Sequence, residues 1–271
     1  MLKWLLLLLG ATCFYLWLKG KKQAKFNAAQ ETQTKAKQAK IPEPQAIVQC
    51  QYCRVHMPQS EAIAQEDRFY CSTEHVNCID SQGWAGFTHW RPSPNQDHRP
   101  DGVIPDLAVI HHISLPPGEF KDRDCTPFIV DFFQNKLNPA LHPYFQEIAD
   151  QRVSSHFLIS RKGEVIQCVS TQNKAWHAGL SSFLGREKCN DFSIGIELEG
   201  DNNHAFEEIQ YQALTHLSKH LQAAYPNIQF AGHSDIAPDR KTDPGIQFDW
   251  DKFQAKTQIL LDKFPYGLDS R

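Results

Sequence analysis

The stretch that decides the fold is Ala108-Val109-Ile110-His111, an apolar run that ends on a histidine. An uninterrupted apolar run of this kind is typical of a buried strand. Much later in the chain, a loop rich in proline and aspartate contains His233, Lys241 and Asp243. Two imidazoles and one carboxylate are a suitable ligand set for a catalytic Zn²⁺, in which a fourth coordination position stays open. Together the two segments predict a hydrolase.

The metal assignment depends on which way each histidine points. His111 and His112 are adjacent, so in a strand they face opposite sides of the sheet and only one can reach a metal. His233 and Asp243 are ten residues apart around a loop, a spacing unlike the His-x-x-x-His of a helical zinc site. On spacing alone, ordinary core or surface histidines therefore remain an alternative.

A second apolar segment, residues 192–198, carries a candidate general base. Glu197 and Glu199 alternate with apolar neighbours, so strand geometry puts both carboxylates on one face. A carboxylate beside a metal site can accept and return a proton during hydrolysis, and a solvated strand face is the alternative. Lys241, two residues before Asp243, can stabilise an oxyanion or pass a proton to a leaving amine. The alternative for this residue is an ordinary surface lysine.

The remaining periodicities predict a mixed α/β (α+β) domain over residues 84–265. Apolar runs predict strands at residues 107–113, 156–159, 165–169 and 192–198, with Lys162-Gly163 as a tight turn between the second and third. From Phe206 to Ala224 apolar residues recur at helical spacing, and Pro226 ends the helix. A last helix is predicted near residues 249–263. Strands and helices mix without a regular βαβ repeat.

The distribution of charge argues against one class of partner, although a basic patch hidden within the acidic body remains an alternative. The chain of 271 residues has a net charge of −3. Residues 1–18 carry +1 and residues 19–40 carry +6, which leaves −10 for residues 41–271. Such an acidic body argues against nucleic acid as a partner, because phosphate backbones are bound by basic surfaces.

The first 45 residues predict a membrane anchor and a tether. Residues 1–18 are apolar apart from Lys3, have a tryptophan near each end, and approach the ~20 residues that span a bilayer. A cleaved signal peptide is the alternative, although no small-residue cleavage site follows the run. Residues 19–45 predict a basic linker, disordered or transiently helical, whose lysines lie against anionic lipid. The lysines after the apolar run predict a cytoplasmic body tethered to the inner membrane.

Residues 46–80 predict a small zinc-binding unit. The candidate ligands are Cys50, Cys53, Cys71 and His75. A Cys-x-x-Cys pair followed by a hairpin and a second pair is typical of a closed, structural Zn²⁺ site, and so short a unit needs a metal for stability. Cys78 can replace His75 in this set, and unrelated thiols are the alternative. Scattered cysteines elsewhere in the chain favour reduced thiols in a cytoplasmic compartment.

Two resemblances extend this interpretation. Residues 1–80, with their hydrophobic start and Cys50–His75 spacing, resemble a small family of short Gram-negative proteins of unknown function. Residues 84–260 contain, in order, Val109-Ile110-His111-His112-Ile113, Asn138-Pro139-x-x-His142-Pro143, Arg152-Val153-Ser154-Ser155-His156, Ala175-Trp176-His177-Ala178-Gly179, the segment 185–200 and the loop 232–245. In this order they resemble the bacterial 1,6-anhydro-N-acetylmuramyl-L-alanine amidases of the AmpD type. The wider superfamily includes phage T7 lysozyme-type amidases and peptidoglycan recognition proteins.

The second resemblance implies a mixed β-sheet flanked by helices and one catalytic Zn²⁺. It implies that the metal is held by His111, His233 and Asp243, with Glu197 in general acid–base catalysis and Lys241 acting on the transition state. The implied reaction is hydrolysis of the amide between (1,6-anhydro)-N-acetylmuramic acid and L-alanine of a muropeptide, in peptidoglycan recycling.

The same resemblance places Arg152, Trp176 and His177 near the substrate. The chain departs from the family pattern at two positions. His112 stands where the family usually has asparagine, and Lys188 stands where arginine is usual. A lysine offers a point charge in place of a bidentate contact, so the two departures bear on substrate preference.

Three other functions remain open on the sequence. A non-catalytic muropeptide-binding sensor could lose Asp243 or Glu197, and this chain keeps both. A periplasmic amidase acting on polymeric murein requires the opposite orientation of the anchor, and unbridged cysteines argue against it. In the third, the zinc unit recruits a protein partner and catalysis is secondary.

Overall fold

The computed structural model describes residues 2–37, 45–120 and 124–269, and gives side chains in its first helix for residues 10–30. The chain divides into two compact units, Met1–Ile47 and Val48–Arg271. The predicted anchor over residues 1–18 and linker over residues 19–45 lie partly outside the described residues. Among the helices that are described, none combines the length and the apolar character needed to cross a bilayer.

The first unit contains one long helix, α1 (Leu2–Lys37). The helix continues past the apolar run into residues expected to be disordered. Alanine, glutamine and lysine, which dominate that stretch, all have high helix propensity, and this accounts for the continuation.

The second unit contains the remaining elements. Its strands are β1 (Ile47–Gln49), β2 (His56–Pro58), β3 (Ile63–Gln65), β4 (Arg68–Tyr70), β5 (His89–Trp90), β6 (Gln96–His98), β7 (Leu107–Ile113), β8 (Phe157–Ile159), β9 (Val165–Gln167), β10 (Asn173–Ala175), β11 (Ser182–Phe183), β12 (Arg186–Glu187), β13 (Ser193–Glu199) and β14 (Gln229–Gly232). Its α-helices are α2 (Thr73–Val76), α3 (Thr126–Phe133), α4 (Pro143–Ile148), α5 (Glu208–Ala224), α6 (His233–Ile236) and α7 (Trp250–Thr257). Short 3₁₀ helices cover Gln59–Glu61, Pro139–Leu141, Cys189–Asp191 and Leu261–Lys263.

A six-stranded mixed sheet with the order β14-β7-β13-β8-β9-β5 forms the centre of this unit. Strands β14, β7, β13 and β8 are parallel to one another, and β9 pairs antiparallel with β8. One face carries apolar residues that pack with α5 and α7, and a separate cluster joins β8 and β9 to α3 and α4. Helices therefore flank a mixed sheet, as the sequence predicted.

The predicted elements differ from the observed ones mainly at the C-terminal end. All four predicted strands are present, and α5 occupies the predicted helical stripe. The prediction of one last helix over residues 249–263 was wrong in extent, because α7 ends at Thr257. Gln258 takes a left-handed conformation with φ of 58° and its N–H caps Gln254, which turns the chain before a short 3₁₀ helix.

The cysteine-rich segment packs against the sheet domain within the same compact unit. Strands β3 and β4 form the predicted hairpin. The Arg68 guanidinium donates to the Thr88 carbonyl at 2.6 Å and lies 4.1 Å from the centre of the Trp90 ring. Tyr70 is buried against Gly86, where a side chain would lie only 2.4 Å from a neighbouring carbonyl oxygen. The hairpin is thus held by the body as well as by its own residues.

Candidate active site

The parallel strands bring three of the predicted site residues to one edge of the sheet. His111 on β7 lies directly opposite Glu197 on β13 in the parallel register. On the other side of β7, β14 ends at Gly232, and His233 follows at once as the first residue of α6. The carboxyl ends of parallel strands are where ligands bind in open α/β sheets. The site therefore follows from the strand order.

The three predicted metal ligands meet at this edge. Candidate ligand atoms of His111, His233 and Asp243 all lie within 4.8 Å of one another. The Asp243 Oδ2 is 2.8 Å from Nδ1 of His111 and 3.1 Å from Nδ1 of His233. All three side chains are buried. Two imidazole nitrogens and a carboxylate oxygen on one side of a buried space suit a three-ligand Zn²⁺ site, so the residues present fit this metal.

The protonation states of His111 and Asp243 also suit a metal. Burial, together with the nearby His233, lowers the pKa of His111 to about 4. Burial raises the pKa of Asp243, but hydrogen bonds to His111 and His233 outweigh it, so that pKa falls well below its usual range. Metals bind neutral imidazole and ionised carboxylate. His111 and Asp243 are thus held in the form that coordination requires.

His177 lies behind His111 and orients it. Its Nδ1 is 2.9 Å from Nε2 of His111, and its Nε2 is 3.1 Å from the Ser193 hydroxyl. In the tautomer that leaves Nδ1 of His111 free to bind a metal beside Asp243, Nε2–H of His111 donates to Nδ1 of His177, and Nε2–H of His177 donates to the Ser193 hydroxyl. Gly195 on β13 leaves room for this ring, because a Cβ there would lie 2.6 Å from Cγ of His177. Such outer hydrogen bonds fix the tautomer and orientation of metal-binding histidines.

The backbone next to His177 supports the second histidine ligand. The Ala178 carbonyl accepts from Nε2 of His233 at 3.1 Å and from the Arg240 guanidinium at 2.6 Å. Arg240 also donates to the Leu180 carbonyl at 2.8 Å. The Asn190 side-chain oxygen accepts from the backbone N–H of His177 and of Ala178. One loop therefore orients both imidazoles, and it is held by Arg240 and Asn190.

Glu197 has the position and the raised pKa of a candidate acid–base group. Its Oε1 lies 4.0 Å from Nδ1 of His111, and its Oε2 is buried without a hydrogen-bond partner among the described residues. Burial and the nearby Asp243 raise the pKa of Glu197 well above its usual range, and Lys241 opposes this shift. A carboxyl group with a free oxygen and a raised pKa can exchange a proton with a reacting molecule. The alternative of a solvated strand face is wrong, since every residue of β13 is buried.

Lys241 lies on the rim of the site. It follows the short helix α6, donates its backbone N–H to the Ala237 carbonyl at 2.9 Å, and lines a cavity of about 580 Å³. Thr242 and Gly245 line the same cavity. The lysine is thus half-buried at the rim, and its catalytic role stays a prediction.

The predicted substrate residues occupy different environments. His177 contacts His111, as described above. Trp176 donates from Nε1 to the Asp97 carboxylate at 2.8 Å. Arg152 is exposed and donates to the carbonyls of Ala149 and Gln151. The substrate contacts of these three residues stay predictions.

The structure also assembles the second predicted ligand set. Candidate ligand atoms of Cys50, Cys53, Cys71 and His75 all lie within 4.8 Å of one another. Sγ of Cys71 is 3.0 Å from Nδ1 of His75 and 3.6 Å from Sγ of Cys53. Burial raises the pKa of Cys50. Hydrogen bonds from the backbone N–H groups of Cys53 and Cys71 and from the His75 ring outweigh burial and lower that pKa to about 6. Desolvation and the neighbouring sulfurs of Cys53 and Cys50 raise the pKa of Cys71 to about 11. A bound cation relieves the repulsion between these sulfurs when they are ionised.

Several residues of the site were missed by the sequence analysis. Arg240 and Asn190 act on backbone atoms far away in the chain, which leave no pattern in the sequence. Ser193 and Gly195 carried a usable signal. A glycine inside a buried strand often marks the close approach of another group, and here that group is His177.

Comparison with known proteins agrees with this geometry. Residues 101–246 match the family of N-acetylmuramoyl-L-alanine amidases. The 1,6-anhydro-N-acetylmuramyl-L-alanine amidase AmpD of Salmonella typhimurium (strain SL1344) is 50% identical over 187 residues, which are 68% of this chain and 98% of that protein. The AmpD of Escherichia coli (strain K12) is 51% identical over 176 residues, 64% of this chain and 94% of the relative.

A crystal structure of a Se-Met AmpD derivative superposes with a TM-score of 0.62 at 49% identity. The superposition covers 65% of this chain and 97% of that structure. The residues that match the family model, 101–246, include His111, Glu197, His233 and Asp243. Because the family match spans more than half of the chain and the relatives are covered almost completely, this chain belongs to the N-acetylmuramoyl-L-alanine amidase family.

Proposed function

We propose that this chain hydrolyses the amide between the lactyl group of (1,6-anhydro)-N-acetylmuramic acid and L-alanine of muropeptides, as a zinc-dependent enzyme of peptidoglycan recycling. The observation that carries the proposal is the convergence of His111, His233 and Asp243 opposite Glu197. Relatives that share this region at about half identity are named 1,6-anhydro-N-acetylmuramyl-L-alanine amidases. The products are a free stem peptide and an (anhydro)muramyl sugar.

In this proposal His111, His233 and Asp243 hold the Zn²⁺. A zinc ion in such a site supplies Lewis acidity toward the scissile carbonyl and lowers the pKa of water. A zinc ion held near Glu197 would lower its pKa and leave it ionised, so that Glu197 takes a proton from the attacking water as the carbon–oxygen bond forms. Glu197 returns that proton to the nitrogen as the carbon–nitrogen bond breaks, so the amine of L-alanine leaves neutral. Its Oε2, which has no hydrogen-bond partner among the described residues, is the atom that can carry the proton.

Lys241 stabilises negative charge that develops on the carbonyl oxygen. A cation at the rim of a buried site is most effective when charge appears, since water there is scarce. His177, Ser193 and the Ala178 carbonyl keep both ligand imidazoles in one tautomer. Arg152 and Trp176 are proposed to contact the substrate beyond the reacting amide.

Purified Val48–Arg271 and its Asp243→Ala variant test this function. Each is incubated with anhydromuropeptide and with intact murein sacculi, with and without a chelator, and released peptide is measured. We expect rapid release from anhydromuropeptide by the unaltered chain, and loss of release with chelator or in Asp243→Ala. Binding of muropeptide without release would indicate a sensor instead. Preferential release from sacculi would indicate an amidase of polymeric murein.

We also propose that Cys50, Cys53, Cys71 and His75 hold a second, structural Zn²⁺. The support is the clustering of four ligands in the predicted combination, with a thiol of low pKa at its centre. In this view residues 46–80 form a zinc-binding unit and residues 84–265 form the amidase domain. Metal analysis of the purified protein should give close to two zinc ions per chain.

We further propose that residues 1–18 anchor the chain and that residues 19–45 tether the body to the cytoplasmic face of the inner membrane. The support is the apolar run followed by seven lysines within residues 19–40. A C-terminal alkaline phosphatase fusion tests the orientation and should be inactive. Deletion of residues 1–45 should move the enzyme to the soluble fraction without loss of amidase activity. An active fusion would reverse the orientation and favour a periplasmic amidase.

A further inference from the structure

The side chain of Asn202 joins two parts of the active site. Its Oδ1 is 3.0 Å from Nε2 of His112, the residue after the ligand His111 on β7. Its Nδ2 donates to the Thr242 hydroxyl at 2.9 Å. Thr242 lies between Lys241 and Asp243 in the chain. One amide therefore connects the strand that carries the first histidine ligand with the loop that carries the carboxylate ligand and the lysine.

We propose that Asn202 is a positioning residue for the amidase reaction. Through Thr242 it sets the positions of Lys241 and Asp243 relative to His111. The inference rests on the proposed function, because those three residues act there as catalyst and ligands. Asn202 itself is not required to touch the reacting atoms.

The backbone on both sides of this contact is arranged to allow it. Gly245 has φ of 78°, and a Cβ there would lie 2.2 Å from Oδ1 of Asn202, so the loop can approach only with glycine at this position. Before Asn202, the Asp201 carboxylate accepts from the backbone N–H groups of Asn203 and His204, both at 2.9 Å. The amide is thus presented from a fixed turn onto a closely packed loop.

The contact holds the least buried part of the loop, because Thr242 is exposed and Lys241 is half-buried, whereas residues 243–245 are buried. Asn202 lines two cavities, one of about 460 Å³ that contains His112 and one of about 580 Å³ that contains Lys241. Open space beside Asn202 offers little packing that would hold Lys241 and Thr242. On the side of the loop away from Asn202, the backbone N–H of Ser234 donates to the Asp243 carbonyl at 2.8 Å and holds that residue. The contact with Asn202 supplies the restraint on the opposite side.

Two substitutions at this position separate hydrogen bonding from shape. Asn202→Leu keeps a similar volume and removes both hydrogen bonds. Asn202→Asp restores both, because a carboxylate accepts from the His112 ring and from the Thr242 hydroxyl. Asn203→Leu is the matched control, since Asn203 lines the same two cavities and, in the described part of the chain, makes neither contact. Thr242→Val removes one partner if the leucine variant does not fold.

The measurements are kcat, KM and the zinc concentration that half-reactivates chelator-stripped enzyme. We expect Asn202→Leu to lower kcat or raise that zinc concentration by about 10–100-fold, the range for outer-shell partners of metal sites, with KM little changed. Asn202→Asp and Asn203→Leu should stay near the unaltered chain. The positioning role is overturned if Asn202→Leu matches the unaltered chain, or if Asn202→Asp is as impaired as Asn202→Leu.

Failure of the positioning role of Asn202 can be told apart from failure of the proposed amidase function. If the unaltered chain does not cleave anhydromuropeptide, the function fails whatever Asn202 does. Zinc affinity measured directly by competition with a chromophoric chelator still reports the positioning role in that case. A weaker site in Asn202→Leu, restored in Asn202→Asp, would support it, and equal affinities in all variants would refute it.

Discussion

Gly195→Ala should disrupt zinc binding without touching a ligand. A Cβ at this position would lie 2.6 Å from Cγ of His177 and 2.8 Å from its Nδ1. Carbon atoms in contact prefer about 3.5–4.0 Å, so the ring must move by roughly 1 Å. The Nδ1 of His177 is now 2.9 Å from Nε2 of His111, and a shift of that size takes the pair beyond hydrogen-bond distance.

Gly195→Ala should change both the folding free energy and the zinc affinity. Overpacking a buried strand costs about 1–3 kcal/mol of folding free energy. For a domain of this size that lowers Tm by about 2–12 °C. Loss of the partner that orients a metal-binding histidine weakens metal affinity or activity by about 10–100-fold. The zinc effect should therefore exceed what the modest loss of stability would cause, because the protein stays folded at 25 °C.

The assay strips the enzyme with a chelator and titrates zinc back while amidase activity is recorded. Amidase activity reports zinc at the catalytic site, and zinc bound by the cysteine cluster is not expected to change it. Gly86→Ala is the matched control, since its Cβ would lie 2.4 Å from the Val76 carbonyl oxygen, at the packing of Tyr70. Gly86→Ala should lower Tm with an unchanged zinc titration. If both variants shift the titration equally, or neither does, His177 does not orient His111.

Three further predictions address the proposed roles. Glu197→Gln should keep the zinc titration and lower kcat by about 10²–10⁴, the usual contribution of a positioned acid–base group, whereas a lost zinc site would make the residue a ligand. Lys241→Ala should lower kcat more than it raises KM in steady-state assays, because its charge is needed mainly in the transition state; the reverse split would indicate a binding role. Cys53→Ser should remove one zinc by metal analysis and leave amidase activity nearly intact, and an unchanged zinc content would refute the structural site.

The strands and the ligand positions could be predicted because they follow from local pattern. The apolar run into His111 and the apolar segment around Glu197 are both buried strands, and they pair side by side in register. Helix α5 follows its apolar stripe. These features depend on periodicity and on burial, which a sequence displays directly. The meeting of His233 and Asp243 with His111 was expected from chemistry and from the resemblance to known amidases.

The end of α7 could not be predicted for a physical reason. Gln258 takes a positive φ without being glycine or asparagine, so no residue at that position signals a stop. Ile259 beyond it is buried, and packing of that side chain outweighs the local propensity to continue the helix. Tertiary contacts of this kind override local preference and are invisible to a pattern of spacings.

The hydrogen bonds that orient the two metal-binding histidines could not be predicted, for a different reason. The strand order β14-β7-β13 alone brings His233, His111 and Glu197 to one edge. The tautomers and directions of the two imidazoles depend instead on loops, through His177, the Ala178 carbonyl and Arg240. A backbone carbonyl accepts a hydrogen bond whichever residue it belongs to. No residue type in the sequence therefore marks such a contact. The sheet therefore determines where the metal can lie, and the loops determine how well it is held; substitutions in the loops should change zinc affinity and turnover while the fold stays the same.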